Sequence, residues 1–170
     1  VFDTIAQSAM HLCDAAYGVI ARYDGQLLHL AAHAHVRPEG VEILRRVFPM
    51  RPSRATTTSR AILERAVVHV PDVLQDPDYA RAVAVGLQNR SVLAVPMLRD
   101  TEPIGTISVG RLEPRAFTDT QISLLRTFAA QAVIAIENVR LFTELDARNR
   151  DLTESLEQQI ATSDVLCGTP

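Results

Sequence analysis

SVLAVPMLRDTEPIGTISVG, residues 91–110, decides the fold. SVLAVPML (91–98) and IGTISVG (104–110) are apolar runs of strand length, rich in Val and Ile. RDTEP between them carries turn chemistry, so the two runs form a hairpin of antiparallel strands. Pro96 removes a ladder donor, which predicts a bulge or an unpaired position there. Upstream, YGVIARY and QLLHLAAHAHV flank Asp24-Gly25, a second hairpin signal. Leu28, Leu30, Ala32, Ala34 and Val36 alternate, which predicts one shared face.

The segments around the hairpins read as helices. Residues 2–13 set Phe2, Ile5, Ala9 and Leu12 at helical spacing. PEGVEILRRVF predicts a short helix. SRATTTSRAILERA predicts another, with Ser/Thr caps and an apolar side of Ile62, Leu63 and Ala66. VVHVPDVLQDPDYA gives a short strand, then a loop broken by Pro71 and Pro77. A long helix opens at Thr118 and is predicted to run to about Ser163. This order is not a βαβα alternation. It predicts an α+β fold, with an antiparallel sheet, terminal helices on one face and short helices over the other.

Composition narrows the function classes. Hydrophobic residues make up 47%, enough for a real core. Lys and Arg number 17 against 20 Asp and Glu, a net charge of -3, which argues against nucleic acid as an electrostatic partner. Cys13 and Cys167 lie at opposite ends without CxxC or Cys/His spacing. Cys13 is read as a small buried side chain near a helix end. The most apolar segment, FAAQAVIAIE, is short and interrupted by Gln131, so no membrane span is expected. No signal peptide opens the chain, and Val1 is not a natural start. The expectation is a cytoplasmic piece of a longer protein.

Several segments together resemble a GAF domain. They are AQSAMHLCDAAYGVIARYDGQLLHLAAH, HVPDVLQDPDY, NRSVLAVPMLRDTEPIGTISVGRLEPRAFTD and LLRTFAAQAVIAIENVRLF, in that order, within residues 1–145. TESLEQQIATSDVL, residues 153–166, is similar to the linkers between tandem sensor modules in bacterial multi-domain histidine kinases and cyclases, so residues 146–170 are expected to be a helical coiled-coil linker and tail. The resemblance implies about six antiparallel strands, a ligand cavity under the short helices, and a regulatory role instead of catalysis. Transferred by position, it nominates Ile20, Arg22, Val70, Asp72, Tyr79, Ser91 and Met97 for the cavity. It also implies a downstream effector domain in the parent chain. Cyclic-GMP-binding members carry an Asn-Lys pair and a Phe followed by an acidic pair. FTDTQ, residues 117–121, lacks the acidic pair, so cyclic GMP is disfavoured. Covalent bilin is disfavoured too, because neither cysteine stands in a Cys-His pair. The ligand stays unnamed.

Other constellations in the chain have simpler readings beside the chemical ones. His29, His33 and His35 share parity on a regular strand, and metal or haem ligation follows as one reading. His29 and His35 would stand roughly 20 Å apart, so at most His33 and His35 could share an ion. A partly solvated polar face is the simpler account. GTISVG fails as a hydrolase elbow, since Thr106 stands where Gly is needed beside Ser108. Asp72, Asp76 and Asp78 could hold a hard cation, but their setting favours turn chemistry. Arg54 and Arg60 flank ATTTS, either an anion cradle or an N-cap between solvated arginines. A methionine sulfoxide reductase of similar fold would need clustered redox cysteines, which this chain does not supply. No catalytic set is therefore expected in this segment.

The long helix changes character along its length. Ile122, Leu125, Ala129, Ala132, Ile136 and Val139 make one stripe, broadened by Leu124, Phe128 and Ala135. Beyond Asn138, Phe142, Leu145, Asn149, Leu152 and Leu156 follow heptad spacing. The two stripes differ in phase, so a change of packing is expected near Asn138. The seam predicts a homodimer, with a single amphipathic helix as the alternative. The functional expectation is a sensor module that binds a small molecule, or dimerises, and relays change through this helix. Its alternative is a ligand-free structural spacer.

Overall fold

The computed structural model describes residues 1–168. The helices are α1 (Phe2–Leu12), α2 (Pro38–Val47), α3 (Thr57–Glu64), α4 (Arg81–Leu87) and α5 (Asp119–Cys167). The strands are β1 (Tyr17–Tyr23), β2 (Leu28–Ala34), β3 (Val68–Val70), β4 (Ser91–Arg99) and β5 (Glu102–Arg111). Among the described residues they form one antiparallel sheet in the order β2-β1-β5-β4-β3.

The fold class is α+β as the hairpins predict, with five strands in place of the six expected. The missing strand is reduced to a single bridge, Leu28 with Met50. Met50 sits between Pro49 and Pro52, which lack the N–H groups a longer ladder requires. The β4–β5 register shifts beside Met97, one residue past Pro96, as the proline led us to expect. β3 pairs only with residues 92–94, so at Pro96 strand β4 has β5 alone as its neighbour.

The two sheet faces have different cover. A side chain at Gly18 would strike the Ala6 carbonyl at 2.7 Å, so Gly18 faces α1. By alternation Ile20 and Arg22 share that face, while Tyr17, Val19 and Ala21 point to the other. On the second face, Tyr17 and Val19 pack with Leu44 of α2, and Ala21 packs with Leu28 and Ile62. α3 turns Thr57 to Ile62 inward, whereas Leu63 is 52% exposed and Ala66 is exposed, correcting the predicted apolar side. Thr56 caps α3 by accepting the Ser59 N–H. α4 was not legible as a helix: RAVAVGL is one short turn-pair inside what reads as a loop.

A bulge in β2 overturns the single-face reading of that strand. Ile20 pairs with Ala32 and Ala21 with Leu30, leaving Ala31 as the extra residue. Parity therefore inverts within β2. Leu28 and Leu30 join the α2/α3 side, while Ala32 and Ala34 oppose Ile20 and Gly18 on the α1 side.

The described residues divide into two compact units, 1–133 and 134–168. Within α5, Leu125, Ala129, Ala132 and Val133 are buried. Leu124 and Ala135 are exposed, so the first stripe is narrower than predicted. Burial ends at Val133, more than a turn before Asn138, and Ile134 is already 62% exposed. α5 also contains an 18-residue window of mean hydropathy 1.3, long and apolar enough to cross a membrane by length and composition. That corrects the expectation that no stretch reaches this threshold.

Candidate functional site

Between the sheet and its cover of α2, α3 and α4 lies a small chamber of about 30 Å³. Tyr17 and Val19 enter from β1, Val92 from β4 and Ser108 from β5. Its volume is about that of two water molecules. Its lining carries no charged side chain.

The polar groups of the chamber are neutral and mostly paired. Gln88, with φ of 52°, ends α4 in the left-handed conformation and turns the chain back. Asn89 follows, 1% exposed. Its Nδ2 donates to the hydroxyls of Tyr17 and Tyr79, each at 3.0 Å. Its Oδ1 has no partner. Burial drives the Tyr17 phenol well above its ordinary range, and burial pushes Tyr79 up to about 12. Both phenols therefore stay protonated at neutral pH. On the far wall Thr58 and Ser108 share a hydrogen bond at 2.8 Å.

Seven residues were nominated for this cavity, and the sheet separates them. Tyr79 lines it. Val70 lies beside it, against the cluster of Val73, Tyr79 and Val92. Ile20 and Arg22 are on the α1 face. Ser91 and Met97 are there too: their register partners Arg111 and Gly105 face that way. All four are one residue out of phase with the wall residues Tyr17, Val19 and Val92. Asp72 is engaged outside, capping the 3₁₀ turn Val73–Gln75 and pairing with Arg90 at 2.7 Å. The missed residues are chiefly Tyr17 and Asn89. Tyr17 was legible as the odd-numbered partner of Val19 in YGVIARY, once Gly18 is given to the helix side.

The remaining constellations resolve into structure. Asp76 accepts from Arg60 at 2.5 and 3.2 Å, and its Oδ1 also accepts the Asp78 N–H. The Arg60 side chain is only 7% exposed and donates to the Arg54 carbonyl, which corrects the solvated-arginine reading. Arg60 holds the Asp76 carboxyl below the usual carboxylate range. His29 bonds Asp24 at 2.7 Å. The Leu27 N–H, then His29 and the Gln26 N–H, hold Asp24 low. The bulge at Ala31 removes His29 from the face of His33, and His35 lies beyond β2 with its ring edge-on to His11 at 6.4 Å. No group of three or more His, Cys, Asp or Glu able to hold a metal occurs among the described residues. Cys13 is buried at the end of α1, and burial pushes its thiol up to about 11.

A second polar knot sits where the terminal helices meet β5. Arg111, 3% exposed, donates to the carbonyls of Cys13 and Asp14 at the end of α1. It also donates to the carbonyls of Arg115 and Ala116 and to Gln121 Oε1 at the start of α5. Its guanidinium lies over the Phe117 ring, 4.1 Å from the centroid.

The model of the GAF domain family matches residues 1–137. No curated protein matches the sequence. Among solved structures, a GAF domain/HD domain protein from Geobacter sulfurreducens aligns with a TM-score of 0.71 at 18% identity, covering 81% of this chain and 90% of that one. A domain of a two-component sensor histidine kinase protein from Sinorhizobium meliloti 1021 aligns at 0.65 and 16%, covering 82% and 90%. The GAF-B domain of DevS from Mycobacterium smegmatis aligns at 0.63 and 18%, covering 85% and 96%. The sheet order, the covered chamber and the family match agree, and the chain belongs to the GAF domain family.

Proposed function

We propose that this GAF domain is the regulatory sensor module of a larger signalling protein and acts as a parallel homodimer through α5. In this reading the chain itself is regulatory, and α5 carries change to an effector in the same parent chain. The supporting observation is the stripe on α5. Phe142, Leu145, Leu152 and Leu156 are 74%, 58%, 63% and 58% exposed, on a helix free of Pro and Gly. Their steps alternate three and four through Asn149. A second copy would cover such a seam, and an Asn in the core position favours two parallel strands in register. Flanking pairs such as Glu144–Arg148 and Asp146–Arg150, each acid one turn before its arginine, add about 0.2–0.5 kcal/mol each to the helix.

Light scattering at micromolar concentration is expected to give twice the chain mass of 18.7 kDa. Leu145→Asp with Leu152→Asp should give the monomer. Asn149→Leu should raise the melting temperature while admitting other registers or oligomers. A wild-type monomer with α5 intact would sink the dimer reading.

The chamber favours a second, compatible reading, in which a small neutral molecule biases the relay. Asn89 Oδ1 is a buried acceptor in a charge-free, largely apolar setting, which suits an uncharged ligand with one donor group. The same setting speaks against a cyclic nucleotide. At about 30 Å³ the chamber takes such a ligand only as α2 and α4 move off the sheet. Native mass spectrometry of protein from its own host should show a retained small molecule, lost in Asn89→Leu. The bare chain mass in both proteins would favour the spacer reading.

A further inference from the structure

His69 occupies the middle of β3, an edge strand. Its neighbour Val68 packs with Ala61 and Ala94 on the α3 side, so His69 faces the terminal helices. There its Nε2 accepts the Phe117 backbone N–H at 3.2 Å. The two rings meet edge-on at 5.7 Å. Phe117 is two residues before the first residue of α5, and its ring lies under Arg111. Thr118 then opens the helix, its hydroxyl accepting the Gln121 N–H while Gln121 Oε1 accepts from Thr118 N–H. His69 thus ties the edge strand to the segment leading into α5.

An imidazole accepts through Nε2 only when its proton sits on Nδ1. A second proton turns the acceptor into a donor facing another donor. The charges around the ring decide how readily that happens. Arg111, from β5, opposes a positive imidazole, and Asp119, in the first turn of α5, favours it. β4 presents Leu93 opposite His69 in the ladder. The edge groove also contains Arg54, Arg60, Glu64, Asp72 and Asp76. These are closed on one another or on neighbours: Arg60 on Asp76, Arg54 on Glu64 and Asp78, and Asp72 on Arg90. Arg111 and Asp119 therefore dominate.

We propose that His69 is a pH-sensitive latch on the start of α5: neutral, it holds the Phe117 amide, and protonated, it lets that amide go. Burial first, and Arg111 second, push the His69 pKa below the ordinary histidine range. The sign follows from linkage. The latch is fully closed above the unfolded histidine value of about 6.5 and opens as pH falls through the lower folded value. The consequence for output rests on the reading of α5 as the relay, whereas the latch itself does not.

The test uses the ¹⁵N-labelled full chain between pH 8 and pH 5. The Phe117 amide resonance should move with the His69 ring, with a midpoint below about 6.5. Its exchange protection should fall by roughly tenfold, the loss of one hydrogen bond. His69→Gln keeps an acceptor that cannot charge, so Phe117 should stay protected and its profile should flatten. His69→Leu should leave Phe117 poorly protected at every pH. A Phe117 amide that ignores the His69 titration, or that titrates equally in His69→Gln, overturns the latch. The wild-type comparison decides alone if a variant does not fold. The mass of the same sample reports separately on the dimer.

Discussion

Arg111→Leu is expected to cost about 3–5 kcal/mol of folding stability. Arg111 is 3% exposed, and its guanidinium satisfies carbonyls from the end of α1 and the approach to α5. Leucine matches part of its volume and none of its donors. Of the residues that offer these carbonyls, Cys13 is the buried one, and its carbonyl keeps the Gln121 Nε2–H as a donor, so the loss comes chiefly from the charged donor's own bonds, at about 1.5–3 kcal/mol each. The stacking over Phe117 would go as well. Arg111→Lys restores a charge but only one donor centre, so it should recover less than half of the loss. Urea midpoints at constant m measure both. Hydrogen exchange should show the end of α1 and the first turn of α5 opening before the sheet. A shift under about 1 kcal/mol would mean that these carbonyls find other donors and that the knot joins the helices only weakly.

The two-hairpin sheet was legible because each strand pair carries its own local signal. Asp24-Gly25 and RDTEP mark turns, and the runs beside them alternate or stay apolar. Phase was harder to read. The choice between Ile20 and Val19 as a cavity wall depends on which face Gly18 gives to α1. That is a packing fact, set by the Ala6 carbonyl. The bulge at Ala31 leaves no mark in LHLAAHA, since alanine suits either face. One unseen residue inverted the reading of Leu28, Leu30 and the three histidines together. α4 was hidden for a different reason. Seven residues with a glycine near the end give no helical period, and the helix exists because Val83 and Ala84 are buried in the tertiary core. Asn89 was the least legible: an Asn after a helix reads as a cap, and only tertiary contact brings two tyrosine hydroxyls to it. The three-and-four spacing of Phe142, Leu145, Asn149, Leu152 and Leu156, by contrast, could be read directly, because it is contained in one uninterrupted helix.

Gly110→Ala is expected to cost about 2–4 kcal/mol, although alanine ordinarily suits a strand interior better than glycine. Gly110 pairs with Tyr17 across β1 and β5. The tyrosine ring lies across the glycine, and a Cβ there would overlap its Cζ and hydroxyl. The ring has little room to yield. It is 5% exposed, packs against Val19 and Leu44, and accepts from Asn89. Displacing it would strip a partner from Asn89, whose Oδ1 already lacks one, and would loosen Tyr79 through the shared amide. The cost should therefore vanish when the ring is gone. Tyr17→Ala alone should lose about 3–5 kcal/mol, and adding Gly110→Ala to it should be neutral or slightly stabilising. That reversal of sign is the decisive reading, and a simple sum of the two losses would refute it. Gly110→Ala should also change the chamber, since Tyr17 forms one wall and anchors its polar end. If the module senses a ligand there, this variant should alter binding more than its distance from α5 suggests. If the chamber is only structural filling, stability alone should move.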